Sequence, residues 1–417
     1  MNRLSCITLP PLRVVAVLLA ISIPVSVALD NLLLAALLLF GLLGCAGQAL
    51  TAGLWNPVAR SAWLLFGMLL LATLYGPTPW GEAMGTLGKY ADLAMVPLFM
   101  VALGDIRASR LAMYLFMLVM AVTLLLSASL GLGMVGPQHW MWRDAAPENA
   151  SVFRSYITQN MMMSYAVFLA LLHVRENTVI WKRLAFGMFA ILGAADILFL
   201  VLGRTGYLVL FMLLAWFVWS TLEQFLRVRG KKIGWLPVAG VVLLMLFAGW
   251  GVYHTSDRLR ERVDLVISGY RAWQPNVPNE VANAVSTGER LEFYYNSARI
   301  FLDHPLVGVG TGGFPAAYAK KVSGTGILAT QNPHNEYLLL AVQGGLPALV
   351  LMLYWLYMQW REAPRLENQF RRDAARGLVI TIAASCLVNS SLLDHTEGLF
   401  FAFMSALLFA NLRKVQP

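Results

Sequence analysis

Few residues of this sequence carry a charge: 13% are Asp, Glu, Lys or Arg, whereas 59% are hydrophobic. A soluble globular protein has no use for so much apolar surface, so the expected solvent is a lipid bilayer. Cysteine is also scarce, and Cys6, Cys45 and Cys386 lie in or beside apolar segments. Their spacing matches neither a disulfide framework nor a set of metal ligands.

Acidic residues are fewer than basic ones, which gives a formal net charge of +9. Most of the Lys and Arg residues lie in short connections between apolar runs. This distribution orients membrane helices and does not favour binding to nucleic acid. The first apolar run is followed at once by a second and has a poor cleavage site at Leu29-Asp30-Asn31, so we expect it to be retained.

Apolar runs of about 20 residues predict an all-α integral membrane protein with about twelve transmembrane helices. The predicted spans are 12–29, 31–50, 58–75, 84–103, 109–133, 155–173, 183–202, 206–226, 236–253, 336–358, 376–393 and 397–413. We predict helices 1–9 in residues 1–253, one large loop in 254–335, and helices 10–12 in 336–417. Basic residues in alternate connections place both termini in the cytoplasm and the large loop outside.

The large loop is predicted to be partly helical. Apolar residues at helical spacing predict an amphipathic helix from Asp257 to Trp273 and a second helix that starts at an N-cap, Thr287, and ends at His304. The second helix is predicted to have an apolar face formed by Leu291, Tyr294, Tyr295, Ala298, Phe301 and Leu302. The glycine-rich turn at 308–313 does not have the pattern of a phosphate-binding loop.

His334 lies where the loop ends and the next apolar run begins. Asn332 is a suitable N-cap and Pro333 suits the first helical position, which predicts that His334 lies in the first turn of a membrane helix. The helix dipole disfavours imidazolium there, so a neutral imidazole that accepts a proton is expected. The alternative is a histidine that only hydrogen-bonds the loop.

Two arginines have unusual positions. Arg290 is predicted in the first turn of the second loop helix, where a cation is unfavourable unless it binds an anion together with the helix end. The alternative is an ion pair with Glu289 or Glu292. Arg204 lies in a short outer turn between Gly203 and Gly206, and could instead extend along the membrane interface.

Other polar residues near the outer face are weaker candidates. Asp394, in the last outer turn, could orient an imidazole or bind an arginine, or could be a solvated turn residue. Lys89 and Asp92 have the spacing of an intrahelical pair, and Asp196 lies deep in a span with no obvious partner. We also predict that Lys89 and Asn335 contact substrate. No cluster of ligands on the outer side demands a metal ion.

A neutral histidine, two arginines and an aspartate on one face suit transfer from a lipid donor linked through pyrophosphate. The arginines would neutralise the departing pyrophosphate, and the histidine would take the proton from an acceptor hydroxyl. These groups can converge only if the loop folds back over the helix bundle.

Three short motifs carry a resemblance to a known family. They are Pro-His-Asn-Glu-Tyr-Leu at 333–338, Asp-His-Pro-Leu-x-Gly-x-Gly-x-Gly-Gly-Phe at 303–314, and Arg-Thr-Gly at 204–206. In their order and their predicted side of the membrane, these motifs resemble those of the O-antigen ligase/polymerase superfamily. The best match is with the lipopolysaccharide O-antigen ligases. The resemblance implies a glycosyltransferase with a GT-C-like membrane fold. It also implies an undecaprenyl-pyrophosphate-linked O-antigen donor, a lipid A–core acceptor and no cofactor or metal.

The resemblance further implies that the protein lies in the bacterial inner membrane with its active site on the periplasmic side. It makes His334 the general base and Arg204 and Arg290 the groups that bind pyrophosphate or substrate, with Asp394 a further functional acid. Direct attack would invert the anomeric configuration. An O-antigen polymerase or a protein O-oligosaccharyltransferase would share these features, and a lipid or polysaccharide transporter is a more distant alternative.

Overall fold

A computed structural model describes residues 3–229, 257–277 and 286–412, and a few positions between 240 and 254. The predicted span 236–253 therefore falls largely outside the described residues. Within them the chain is helical and forms no β-strand apart from one isolated bridge between Ala146 and Asn149.

The helices are numbered here along the described residues. They are α1 (Arg3–Ser22), α2 (Val27–Phe40), α3 (Ala46–Trp55), α4 (Pro57–Leu71), α5 (Trp80–Lys89), α6 (Ala91–Ala102), α7 (Ile106–Gly131), α8 (Tyr156–Glu176), α9 (Ile180–Ala195), α10 (Arg204–Val228), α11 (Asp257–Ala272), α12 (Ser286–Asp303), α13 (Phe314–Val322), α14 (Glu336–Glu362), α15 (Gln369–Val388) and α16 (His395–Phe409). A π-helical turn, Gly41–Cys45, joins α2 to α3, and another, Asp196–Leu200, extends α9.

Six helical segments of the described chain are long and apolar enough to cross a membrane. They are Val27–Trp55, Ile106–Gly131, Tyr156–Glu176, Ile180–Leu200, Arg204–Leu226 and Glu336–Arg365. Shorter apolar helices cover Ile7–Ser22, Pro57–Leu71 and His395–Phe409. The protein is thus an α-helical membrane protein, as predicted, whereas the number twelve stays a prediction.

Two of the predicted spans have different ends in the structure. The break between the first two helices lies near Ser26, whose side chain caps α2 by accepting a hydrogen bond from Leu29 N, and not at Asp30 as predicted. The predicted span 84–103 is divided at Tyr90 into α5 and α6. Apolarity alone did not locate these breaks, because each lies within a run of residues that is apolar on average.

The buried centre of the bundle is formed largely by α8, α15 and α16. Aromatic rings fill it, as where Phe400 packs on Phe116 at 5.5 Å and on Tyr165 at 5.9 Å between ring centroids. The outer surface is also apolar, and Leu125 and Ile191 have exposed fractions of 66% and 71%. A helix bundle that is apolar on both its inner and outer faces is the arrangement expected in lipid.

The glycine-rich turn anchors the loop to a break in α14. At Gly345 the backbone leaves the helical conformation (φ 66°, ψ −162°), which exposes peptide groups of the helix. The turn satisfies them: Val309 N donates to Val342 O (2.8 Å) and Gly310 N donates to Gln343 O (2.9 Å). The glycines therefore serve close backbone packing, which agrees with the absence of a phosphate-loop pattern.

Replacing Gly310 by alanine is expected to destabilise this anchor. Gly310 has φ +90°, and an added Cβ would lie 2.5 Å from Gly76 Cα. Gly324→Ala is the matched control, because Gly324 has φ +79° but nothing within 4 Å of an added Cβ. We expect backbone strain of roughly 1–2 kcal/mol in both variants and a further ~1–3 kcal/mol from the collision in Gly310→Ala alone. Equal thermal unfolding of the two purified variants would contradict this.

The two helices of the large loop are present and pack on each other. The predicted helix from Asp257 is confirmed as α11, and Glu292 of α12 accepts hydrogen bonds from Trp273 Nε1 (2.8 Å) and Asn276 N (3.1 Å) after it. The second helix includes Thr287, so the prediction that Thr287 is its N-cap is wrong. The predicted apolar face is wrong in part: Leu302 is 70% exposed, whereas Glu292 is buried by the contacts just described.

Candidate active site

His334 lies in the short segment between the loop and α14, in a strained backbone conformation. Its φ is +53°, in the left-handed region, which histidine enters more readily than most residues. Asn332 holds the turn, because its Oδ1 accepts from His334 N (2.8 Å) and from Ser390 Oγ (2.6 Å). Strained residues held in this way are concentrated at functional sites.

The predicted N-cap is wrong by three residues, although α14 begins at Glu336, as the predicted span 336–358 does. Asn335, not Asn332, is the N-cap of α14: its backbone is extended and its Oδ1 accepts from Leu338 N (3.0 Å). Pro333 and His334 consequently precede the helix. Asn335 Nδ2 also donates to Leu387 O (2.9 Å), which fastens this helix start to the end of α15.

The ring of His334 is half-buried against α12. Its plane lies nearly parallel to the ring of Phe293, with 6.1 Å between centroids, and Tyr294 OH is 3.2 Å from His334 O. Burial lowers the pKa of His334, the nearby charge of Arg290 lowers it further, and a hydrogen bond with Asn389 opposes both. The balance favours a neutral imidazole, through burial and Arg290 rather than through a position inside the helix.

Arg290 lies beside His334 and contacts the end of α15. Its Nη1 donates to Val388 O (3.1 Å), where the carbonyl end of a helix attracts a cation. Neither Glu289 nor Glu292 forms an ion pair with it among the described residues. Its Nη2 and Nε donate to no described residue, so one edge of the guanidinium is available to an anion.

Arg204 begins α10, in the short turn that was predicted for it. Gly203, with φ +144°, and Gly206 allow this turn to pack on Asn160 of α8, whose Nδ2 donates to Leu202 O (3.1 Å). No described contact joins Arg204 directly to His334. The two are linked indirectly through α8. Asn160 of α8 contacts the turn before Arg204, and Thr158 of α8 contacts a residue that follows α15.

That link is formed by Glu397, a buried acid which the sequence analysis did not single out. Its Oε1 accepts from Thr158 Oγ1 (3.2 Å) at the start of α8, and its Oε2 accepts from Asn389 Nδ2 (3.4 Å). Asn389 in turn interacts with His334. The position of Glu397 in the last outer turn was the only signal in the sequence.

Glu336 is a second buried acid that was missed as a site residue. It lies two positions after His334, and its carboxylate accepts from Tyr90 OH (2.9 Å), Leu392 N (2.9 Å) and Leu393 N (3.2 Å). These contacts hold the start of α14 against α6 and against the turn before α16. Glu336 therefore positions the backbone on which His334 is placed.

Asp394 and Lys89 are both exposed, and neither forms the side-chain pair that was considered for it. Asp394 is exposed and caps α16, since its Oδ1 accepts from Thr396 N (3.0 Å) and Glu397 N (3.2 Å). The predicted Lys89–Asp92 pair is wrong: Lys89 is exposed at the end of α5, and among described residues the basic partner of buried Asp92 is His395, at 4.0 Å. The helix break at Tyr90 separates their environments.

A buried ion pair that was not predicted joins the first helices to α8. Arg154 Nη2 lies 2.6 Å from Asp30 Oδ2, Ser22 Oγ donates to Asp30 Oδ1 (2.6 Å), and Arg154 Nε donates to Ile23 O (3.0 Å). Asp196 likewise has a partner, because Ser127 Oγ donates to its Oδ1 (2.6 Å). Paired and hydrogen-bonded charges of this kind are costly to disrupt one partner at a time.

Within the described part of the chain, no three His, Cys, Asp or Glu side chains form a group that could hold a metal ion. Metal independence itself stays a prediction. The site places a half-buried imidazole with a lowered pKa next to a guanidinium whose Nη2 and Nε have no described partner.

Residues 188–353 match the family model described as O-antigen ligase. This match supports membership of the chain in the O-antigen ligase/polymerase family. The match covers less than half of the chain, and it includes Arg204, Arg290 and His334. Members of the O-antigen ligase/polymerase family are glycosyltransferase-like enzymes that act on lipid-linked polysaccharide in a membrane. No curated protein sequence matches the chain.

Proposed function

We propose that the protein is an O-antigen ligase. It transfers O-antigen from undecaprenyl pyrophosphate to a sugar hydroxyl of lipid A–core, without a metal or cofactor. The observation that supports this best is the pairing of His334 with Arg290: a half-buried imidazole with a lowered pKa beside a guanidinium whose Nη2 and Nε have no described partner. This pairing supplies a base and an anion-binding group side by side.

In the proposed reaction the acceptor hydroxyl oxygen attacks the anomeric carbon of the donor sugar. A bond forms between these two atoms while the bond from the anomeric carbon to the pyrophosphate oxygen breaks, and the electron pair leaves with undecaprenyl pyrophosphate. The hydroxyl proton passes to the unprotonated ring nitrogen of His334, and Arg290 stabilises the charge on the leaving group. A single displacement inverts the anomeric configuration.

The remaining predicted residues have supporting places in this proposal. Arg204, at the start of α10, binds the donor or its pyrophosphate from the other side of α8. Asn335 positions the segment that carries His334, while Asp394 and Lys89 contact the sugar chains from the exposed surface. We place this end of the bundle at the periplasmic face of the inner membrane, with both termini in the cytoplasm and a GT-C-like arrangement of about twelve spans.

The test is transfer by the purified full-length protein in nanodiscs. The donor is undecaprenyl-pyrophosphate-linked glycan, offered with lipid A–core, with a pilin-like protein, or with no added acceptor. Product on lipid A–core is expected. Longer lipid-linked glycans would identify a polymerase, glycosylated protein would identify an oligosaccharyltransferase, and movement of lipid without any covalent product would identify a transporter.

The pH dependence of transfer should reflect the lowered pKa of His334. A base is active when neutral, that is, above its pKa, and burial and Arg290 set this pKa below the ordinary value of 6.5. The rate, measured as kcat/KM, should therefore fall to half of its plateau at a pH below 6.5. A decline centred above 6.5 would contradict the assignment, and His304→Ala, at an exposed histidine of the same loop, should leave the profile unchanged.

Chelation should not affect transfer. The charge that a divalent ion would neutralise is assigned to Arg290 and Arg204, so addition of EDTA is expected to leave the initial rate unchanged. Rates with EDTA and with EDTA plus excess Mg²⁺, Mn²⁺ or Ca²⁺ would be compared. A rate lost with EDTA and restored by one ion would overturn the metal-free mechanism.

A further inference from the structure

A cavity of about 300 Å³ lies at the end of the bundle opposite to His334. Helix α15 connects the two places: Val388 near its end contacts Arg290, while Arg371 in its first turn lines the cavity. At 1.5 Å per residue these positions are roughly 25 Å apart. The cavity is therefore separate from the candidate active site.

Arg371 presents a buried cation to this cavity. The residue is only 8% exposed. Both hydrogen bonds of its side chain come from Nη2, which donates to Ser109 Oγ (2.8 Å) and to Leu407 O (2.7 Å). Its Nη1 and Nε donate to no described residue. A guanidinium fixed on one side and free on the other is a preorganised site for an anion, since less side-chain entropy is lost on binding.

Arg110 lies at the rim of the same cavity. Its side chain is 61% exposed, and its nearest acidic partner, Glu367 Oε1, is 3.7 Å away. An exposed pair of this kind contributes little to stability, so a stronger anion can displace it. The acid that lines the cavity, Glu176, lies 3.5 Å from Arg175 and thus already faces a cation.

One wall of the cavity is aromatic and leads to the outer surface. The ring of His173 lies between Tyr114 and Phe370, at 5.8 Å and 4.5 Å between centroids. Tyr114 is 53% exposed, and Leu111 and Leu118 on the same helix are 51% and 58% exposed. An apolar surface thus begins at the mouth of the cavity and continues along α7, where it would face acyl chains.

We propose that this cavity binds the phosphate headgroup of an anionic membrane lipid. The phosphate lies between Arg371 and Arg110, and the acyl chains follow the exposed apolar face of α7. Basic pockets between membrane helices bind anionic headgroups by this combination of charge and adjoining apolar surface. The continuous apolar face distinguishes a lipid from a free phosphate ion, which would gain nothing from it.

The test is native mass spectrometry of the full-length protein in detergent, with phosphatidylglycerol or phosphatidylcholine added, and with inorganic phosphate as competitor. We expect phosphatidylglycerol to bind selectively. Arg110→Gln should weaken that binding about fivefold, and Arg371→Gln on the order of tenfold. Arg183→Gln is the matched control, because Arg183 is an exposed arginine of the neighbouring α9 that does not line the cavity.

Arg371 also holds α15 to α7 and α16, so Arg371→Gln removes structural contacts as well. Arg110→Gln, at an exposed side chain, keeps the test valid if the Arg371 variant unfolds. Equal weakening by Arg110→Gln and Arg183→Gln would overturn the proposal. So would binding of inorganic phosphate without selective binding of phosphatidylglycerol. Because the readout is lipid binding, its outcome does not depend on whether the proposed ligase activity is correct.

Discussion

Replacing His334 by alanine should abolish transfer while the protein still inserts and folds. Loss of a general base typically lowers a rate by about 10²–10⁴-fold. The measurement is the initial rate of glycan transfer to lipid A–core by the purified variant, alongside its thermal unfolding. Retained transfer by a folded variant would remove the base assignment.

The positive φ of His334 requires a second variant, since alanine is strained at φ +53°. Asparagine enters the left-handed region readily and cannot act as a base. His334→Asn should therefore be as inactive as His334→Ala and more stable than it. His304→Ala, which removes an exposed histidine after α12, should keep the activity of the unaltered protein. An active His334→Asn would show that backbone conformation, not proton transfer, is what His334 provides.

The sequence could single out His334 as a candidate because its signals are local. Pro333 and His334 stand at the boundary between a polar loop and an apolar run, and the motif lies within a few residues. The same stretch offered two asparagines as N-caps, and propensity does not distinguish Asn332 from Asn335. In the structure both asparagines have distant partners: Ser390 donates to Asn332 Oδ1, and Asn335 Nδ2 donates to Leu387 O. Tertiary contacts of this kind are invisible to a local pattern.

The buried acids could not be predicted for the same reason. Glu336 is held by Tyr90, 246 positions earlier, and Arg154 by Asp30, 124 positions earlier. Read alone, each of these residues looks like an ordinary charge at the edge of a membrane span. The all-helical membrane fold was predictable, because it depends only on the length of apolar runs. The division of those runs depends on packing, as the break in α14 at Gly345 shows.

Replacing Arg290 by lysine should lower transfer nearly as much as replacing it by alanine, on the order of 10²-fold. The guanidinium donates to Val388 O through Nη1 and keeps Nη2 and Nε free. It can therefore hold the end of α15 and a phosphate oxygen at once, in one fixed plane. An ammonium has no such fork and would bind either the carbonyl or the anion as a single point charge.

Arg299→Lys is the matched control for this substitution. Arg299 lies on the same helix, is exposed, and contacts Tyr295 OH (3.4 Å) rather than α15, so its replacement by lysine should leave transfer unchanged. The initial rate and the KM for the lipid donor would be measured for all three variants. If Arg290→Lys transferred as fast as the unaltered protein, only the charge of residue 290 would matter. The planar geometry would then have no role, because a point charge needs no free edge to neutralise a departing pyrophosphate.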